Sequence, residues 1–521
     1  MRTCVKWTLM LLLAMLMAAA LTLFSAATGG DVTESPYDLY VGYTPVTPDN
    51  CADILGDGTA GYDPASKTLT IRNFRSTQAL DNDGALFSIL GGAKVTVVIT
   101  GEQGNNFPFA IFLKAGDIRV TDTTVKFGAN CFLWMVTEDG NITVENSTVE
   151  SVSIERVTQL CIQASNVTFQ NSTLSLVTEE GSLYPTSLFY AGKQLTIADS
   201  DVTVSMPYPL AEYIFYCDTG SIAVRDSTMT LSKGNTCFWA PEGSLTVSKA
   251  SVSVTDFRHF ARSDRINLTN ATIDAAVYFN GLILLLEKDG KSYITDSDIR
   301  MTNLSFAQMQ ERLLQYVWAD MAFADKQEYG SYEAFTAAVR TNLYEPGVRL
   351  NYALGIQNGQ LTMTGSTFQS TGFAVGMAGL YDVTMSISKL SKLDISSRLA
   401  AVIVISNTRD ALSFGSGYMD GRAKLRSVNI GAQIDPFGKY FYSFTDSKLT
   451  HDIPADAESL DEIVLAMQGF SPKLSLRTSP YFRGWVWGVG ITGLCLGAIG
   501  ILYVTMILPE HRERKPKAEK K

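Results

Sequence analysis

Apolar and polar residues alternate in short runs along most of the chain, and the runs recur. The repeated block is apolar-x-apolar-x-(Asn/Asp)-(Ser/Thr)-x-apolar. It occurs from Ile118 to Val125, Ile142 to Val149, Val167 to Leu174, Leu195 to Val202 and Ile222 to Met229. Looser copies run from Leu245 to Val252, Ile266 to Ile273, Ser292 to Ile299 and Leu361 to Phe368. Successive positions of this column, Asp122, Asn146, Asn171, Asp199, Asp226, Asn270 and Asp296, with Lys249 standing between Asp226 and Asn270, set a period of 21–28 residues. Period-two alternation over four or five residues predicts a half-buried strand, so each block reads as two strands joined at the Asn/Asp-Ser/Thr pair. Upstream of most blocks a third strand carries a Phe: Phe87, Phe112, Phe132, Phe189, Phe215, Phe238 and Phe260. A Gly often separates it from the block, as at Gly116, Gly140, Gly220 and Gly243.

Three short strands per repeat cannot bury an apolar face alone, but stacked coils bury it continuously. The predicted fold is therefore all-β, a parallel β-helix of about a dozen coils. With about 4.8 Å per coil, it would form a rod on the order of 60 Å long. Two segments break the strand pattern. Ser305 to Gln308 is a capping box, and Phe306, Met309, Leu313, Val317 and Met321 follow at helical spacing. A second helical stretch carries Tyr332, Phe335, Val339 and Leu343 and ends before Pro346. Together they predict a helical hairpin inserted in one coil. A short helix from Ala455 to Gln468 is expected to cap the open end of the rod.

Both termini read as membrane signals. Arg2 and Lys6 precede an apolar run from Trp7 to Phe24 and the small residues Ser25, Ala26 and Ala27, the pattern of a secretory signal peptide. Trp485 to Leu508 is 24 residues without a charge, enough for one span. Arg512, Arg514, Lys515, Lys517, Lys520 and Lys521 follow it, which places the tail in the cytoplasm. Gly484 with Gly488 and Gly493 with Gly497 are small-xxx-small pairs suited to self-association of that helix. The expected order is a signal peptide (1–27), an N-terminal β segment capping the solenoid (28–85) and the β-helix (86–303). The helical hairpin (304–346), degenerate coils (347–452) and a capping helix with linker (453–484) come next. A transmembrane helix (485–508) and a basic cytoplasmic tail (509–521) complete it. The localisation this implies is a single-pass cell-membrane protein with its large N-terminal domain outside.

Composition narrows the function classes. The formal net charge is −10, from 42 basic and 52 acidic residues. With Arg2, Lys6 and the tail set aside, 34 basic and 49 acidic residues remain, a balance of −15 that argues against nucleic acid. Cys51, Cys131, Cys161, Cys217 and Cys237 are sparse and odd in number for a disulfide scaffold and read as buried thiols. No nucleophile-elbow, zincin or phosphate-loop motif is present, so no catalytic residue is assigned. His259 sits in a coil strand and reads as structural. No cofactor motif occurs. Calcium alone among metals suits the Asn/Asp column, which reads either as a line of oxygen ligands or as a ladder of turn residues. Asp81-Asn82-Asp83-Gly84 is a calcium-loop fragment without its later Glu.

The segment Leu39 to Val46, followed by Asp53 to Thr59 and Tyr62 to Ile71, resembles a recurrent opening segment of cell-surface proteins from Gram-positive gut bacteria. The coils resemble the right-handed parallel β-helix of pectate lyases and of clostridial carbohydrate-binding β-helix proteins. That resemblance implies handedness and architecture; it carries over no catalytic residue.

The Phe column is the candidate site. Its sequence neighbours are mostly apolar, as Leu188 and Tyr190, Ile214 and Tyr216, and Cys237 and Trp239 are. Strand faces alternate, so those neighbours are expected to point inward and Phe189, Phe215 and Phe238 outward. An exposed aromatic ribbon marks an interaction site, and sugars stack on aromatic rings. Arg258, Arg262 and Arg265 crowd its end and could hold a uronate or phosphate. Three functions follow as readings: a membrane-anchored surface protein that binds polysaccharide or another surface ligand, a non-catalytic stalk or adhesin, and a polysaccharide lyase or hydrolase.

Overall fold

The computed structural model describes residues 35–405, apart from 43, 76–85, 93, 108–109, 128–131, 138, 152–158, 178–186, 206–212, 285–289, 305–310, 312–313, 316, 319–320, 322, 341–350, 380–382, 389–390 and 399, together with 412–413, 433–434, 473–477, 492–499 and 501. The signal peptide, the calcium-loop fragment, the capping helix from Ala455 to Gln468 and the basic tail lie outside the described residues.

The chain is a β-solenoid of about ten turns with little helix, slightly shorter than the dozen coils expected. Three parallel sheets run along it. The first stacks Leu86–Gly91, Ala110–Lys114 and Phe132–Val136 on the leading parts of Gln159–Gln170 and Ser187–Ala198, and then on Tyr213–Cys217. The second contains Thr96–Thr100, Asp117–Thr121, Asn141–Glu145 and Ser221–Arg225, and the third Thr124–Phe127, Thr148–Ser151, Thr173–Val177 and Asp201–Ser205. Several strands run round a corner without a break, the longest being Thr228–Ser248 and Ser251–Thr269. The ends of the stack are antiparallel. Leu39–Val41 pairs with Leu86–Gly91, and Lys473–Arg477 pairs with Lys392–Ser396.

The core is built from residues repeating at two-residue intervals. Ile118 and Val120, Ile142 and Val144, Leu195 and Ile197, and Ile222 and Val224 of the second sheet are all buried. The Asn/Asp column forms the corner between the second and third sheets. Asp122, Asn146, Asn171, Asp199, Asp226, Asn270 and Asp296 all have φ between 47° and 50°, a left-handed conformation that Asn and Asp tolerate better than other side chains. Lys249 takes the same corner at φ 49° and Gly365 at φ 63°. The side chains bond from coil to coil: Asn146 Nδ2 donates to Asp122 Oδ1 at 3.1 Å, and Asn171 Nδ2 to Asn146 Oδ1 at 2.9 Å.

The next residue adds a second ladder. The N–H groups of Thr123, Ser147, Ser172 and Ser200 donate to the hydroxyls of Ser147, Ser172, Ser200 and Ser227 one coil on. Those hydroxyls donate in turn to carbonyls two residues back, as Ser172 Oγ does to Gln170 at 2.7 Å. A corner that would otherwise strand buried N–H groups is thereby satisfied. The Asn/Asp-Ser/Thr pair is thus a turn ladder. Among the described residues no cluster of His, Cys, Asp and Glu is arranged to hold a metal ion. The other corner depends on glycine: a Cβ on Gly140, Gly220 or Gly243 would overlap a backbone carbonyl of the preceding coil, that of Gly116, Lys193 or Gly220.

Between Asp298–Asn303 and Tyr352–Ile356 the chain leaves the solenoid. Helices Phe323–Tyr329 and Tyr332–Arg340 lie there, and residues 311, 314, 315, 317 and 318 are also helical. The coil is rejoined 69 residues on, where the N–H of Ser297 donates to Ser366 Oγ. Among the described residues no helix is long and apolar enough to cross a membrane. Of the expected span, residues 492–499 and 501 are described; they are helical, with Leu494, Leu496, Ile499 and Ile501 exposed.

Candidate functional site: the outer face of the first sheet

Phe189, Phe215 and Phe238 are in register, Phe189 opposite Phe215 and Phe215 opposite Phe238. Their exposures are 0%, 0% and 1%. The expected outward platform is therefore inside the solenoid. Phe189 stacks on Phe215 at 4.9 Å and Phe215 on Phe238 at 5.4 Å, with Phe169 and Phe260 edge-on at the two ends. The other phenylalanines do not continue the column: in backbone register Phe87 is paired with Ile111, Phe112 with Trp134 and Phe132 with Gln159. The inward column runs instead through Ile89, Leu113, Met135 and Ile162 to Phe189, and beyond Phe238 to Ala261 and Leu282.

The error of phase has a local cause. In Tyr213–Cys217 the burial pattern places Ile214 and Phe215 both inside, with Tyr213 and Tyr216 half-buried on either side. Leu188 and Phe189, and Cys237 and Phe238, repeat the doublet. Two successive inward residues break the alternation, so the neighbours of each Phe split. The preceding residue joins the core, and the following one, Tyr190, Tyr216 or Trp239, lies on the outer side. Ser187 and Thr236, two residues before Phe189 and Phe238, are also buried.

An aromatic row does exist, one residue away from the expected one. Register pairs Tyr190 with Tyr216, Tyr216 with Trp239 and Trp239 with Arg262. The rings of Tyr190 and Tyr216 lie 5.2 Å apart. Tyr213, from the same strand as Tyr216, stacks on Tyr216 at 5.4 Å and on Trp239 at 5.2 Å, tilted 24° from each. The row then turns cationic. The Arg262 guanidinium lies 4.3 Å from the Trp239 ring centroid, and Arg258 lies 5.5 Å from that of Phe279. His259 meets the same Phe279 ring edge-on at 5.4 Å. Past Arg262 the outer column passes to Ile283, Gly355 and Ala378. There the strand Val375–Gly379 is buried at all five residues, which bounds the accessible row.

Electrostatics follow from this packing. Tyr216 Oη donates to Asp218 Oδ1 at 2.8 Å. Burial and that bond to a carboxylate push the Tyr216 phenol well up, and burial with Asp218 and Cys217 nearby raises Tyr190 to about 12. Both phenols are therefore neutral donors at physiological pH. Burial, reinforced by Arg258 and Arg262, pushes His259 down to about 3, so its ring is neutral. Burial lowers Arg262; Tyr213 counters this and Arg258 adds to it. Cys217 and Cys237 are buried free thiols and Cys51 a half-buried one; burial raises Cys217 to about 11 and Cys237 far above the ordinary thiol range.

Comparison with known proteins adds nothing to this geometry. No family model, curated protein or solved structure matches the chain. Of the expected site residues, Arg258 and Arg262 lie at the end of the outer row, whereas the three phenylalanines belong to the core. Tyr190, Tyr213, Tyr216 and Trp239 replace them. Their signal in the sequence is the polar handle each ring carries, which favours a position with one wet edge.

Proposed function

We propose that the protein is a membrane-anchored surface protein whose solenoid binds polysaccharide along the row Tyr190, Tyr216 and Trp239. The supporting observation is the spacing. Tyr190 with Tyr216, and Tyr213 with Trp239, are ring pairs from successive coils, each 5.2 Å apart, close to the length of one pyranose residue. Because the rings stack on one another along the axis, a sugar chain lying along it would meet ring edges, about one per residue. Each contact is weak, and several in series supply affinity. The anchor in this reading is the segment 485–508 with its basic tail, and the signal peptide directs the solenoid outside.

The test is a glycan array probed with the full-length chain and with a Tyr190→Ala/Trp239→Ala variant. Binding of at least one polysaccharide class by the parent chain, lost in a variant that still melts cooperatively above the assay temperature, supports the reading. Equal binding by both would sink it. The ladders of Asn and Ser favour a second reading, a stiff stalk without a small ligand, and a blank array for the parent chain would point to that role.

A further inference from the structure

The cationic end of the row has unmet hydrogen-bonding capacity. His259 is 8% exposed and its Nδ1 has no partner. Arg262 Nε is also buried and without a partner. A buried polar atom left unpaired costs free energy, and native structures rarely keep one without a use. Among the described residues no carboxylate forms an ion pair with Arg258 or Arg262. The nearby Asp264 is held by Arg265 at 3.1 Å, and Asp218 accepts from Tyr216. Two guanidiniums thus lie within electrostatic reach of a buried imidazole, in a chain whose central region carries excess negative charge.

The packing fixes these groups. Arg262 is spread on Trp239 and Arg258 on Phe279, so each planar fork of donors is held against a ring. Such a fork matches the oxygens of a carboxylate or sulfate. The neutral imidazole of His259 can carry an N–H at its buried, unpartnered Nδ1. Trp239, under Arg262, is also the last ring of the aromatic row, so an anion bound here would belong to the sugar lying against that ring's edge.

Resting on the polysaccharide reading, we propose that Arg258, His259 and Arg262 form a subsite for an acidic substituent, a carboxylate or a sulfate, on the bound sugar chain. The solenoid would then select acidic over neutral polysaccharides.

The experiment uses the full-length chain and sets of oligosaccharides that share a backbone and length in neutral, uronate and sulfated forms. The readout is the ratio of affinities, acidic over neutral, for the parent chain, Arg258→Gln and Arg262→Gln. The expected result is about a tenfold preference for an acidic form in the parent chain, falling towards unity in both variants. The acidic form that carries the preference identifies the substituent. Equal affinity for neutral and acidic members, or a preference that survives in both variants, would overturn the subsite alone and leave the aromatic row standing. Failure of every member to bind would overturn both. Should Arg262→Gln melt early, Arg258→Gln decides by itself, because Arg258 stacks on a different ring.

Discussion

Arg262 and Trp239 are partners across adjacent coils: the two residues are opposite in register, and the guanidinium lies 4.3 Å from the indole centroid. The pair joins the aromatic row to the cationic end, and it lies on the opposite side of the strand from Phe238. The inside and outside of this one wall therefore make different predictions when truncated.

Phe215→Ala should destabilise the solenoid by about 3–5 kcal/mol, because it empties the centre of a three-ring stack. Trp239→Ala, on the outer side, should cost clearly less. Thermal melting of the two variants compares them directly, and a larger loss for Trp239→Ala would reverse the assignment of faces.

The corner ladder predicts a buried hydrogen-bond penalty. Ser172 Oγ accepts from the Ser147 N–H at 3.2 Å and donates to the Gln170 carbonyl at 2.7 Å. Ser172→Ala should cost about 1–3 kcal/mol by leaving a buried donor unpaired. Ser175→Ala, on the third sheet away from the corner, should cost less, as chemical denaturation would measure.

Lys249 is the one Lys among the corner residues of the Asn/Asp column, at φ 49°. Asn accommodates that conformation better. Lys249→Asn should therefore raise stability by on the order of 1 kcal/mol, visible as a higher melting temperature. A lower one would mean that the 4.0 Å contact of Lys249 Nζ with Asp226 Oδ1 contributes more than the backbone strain.

His259 gives the solenoid a pH dependence of known sign. Its folded pKa is depressed to about 3 from an ordinary value of 6.5. Below pH 6.5 the unfolded chain binds a proton that the folded one refuses, so stability falls as pH drops from 6.5 towards 3. The slope contributed approaches about 1.4 kcal/mol per pH unit. His259→Gln should flatten that slope between pH 6 and 4; an unaltered slope would show that the ring is already protonated in the folded chain.

The fold was legible because its repeat is written in residues with a fixed backbone duty. Asp122, Asn146 and Asn171 recur where the chain must turn left-handed, and Ser147, Ser172 and Ser200 recur where a buried N–H needs an acceptor. The helix Tyr332–Arg340 was legible from helical spacing around Tyr332 and Phe335. The functional face was not, because reading it required knowing where alternation fails. Ile214 and Phe215 are buried in succession, and a strict period of two then assigns the neighbouring side chains of that strand to the wrong face. The unpaired Nδ1 of His259 has no sequence signature at all.

The most direct measurement is side-chain oxidative footprinting of the full-length chain, read by mass spectrometry, with and without a polysaccharide selected on the array. In the free protein Tyr190, Tyr216 and Trp239 should be labelled while Phe189, Phe215 and Phe238 stay unlabelled, and polysaccharide should protect the first three. Labelling of the three phenylalanines, or tyrosine and tryptophan labelling unchanged by bound polysaccharide, would contradict the account.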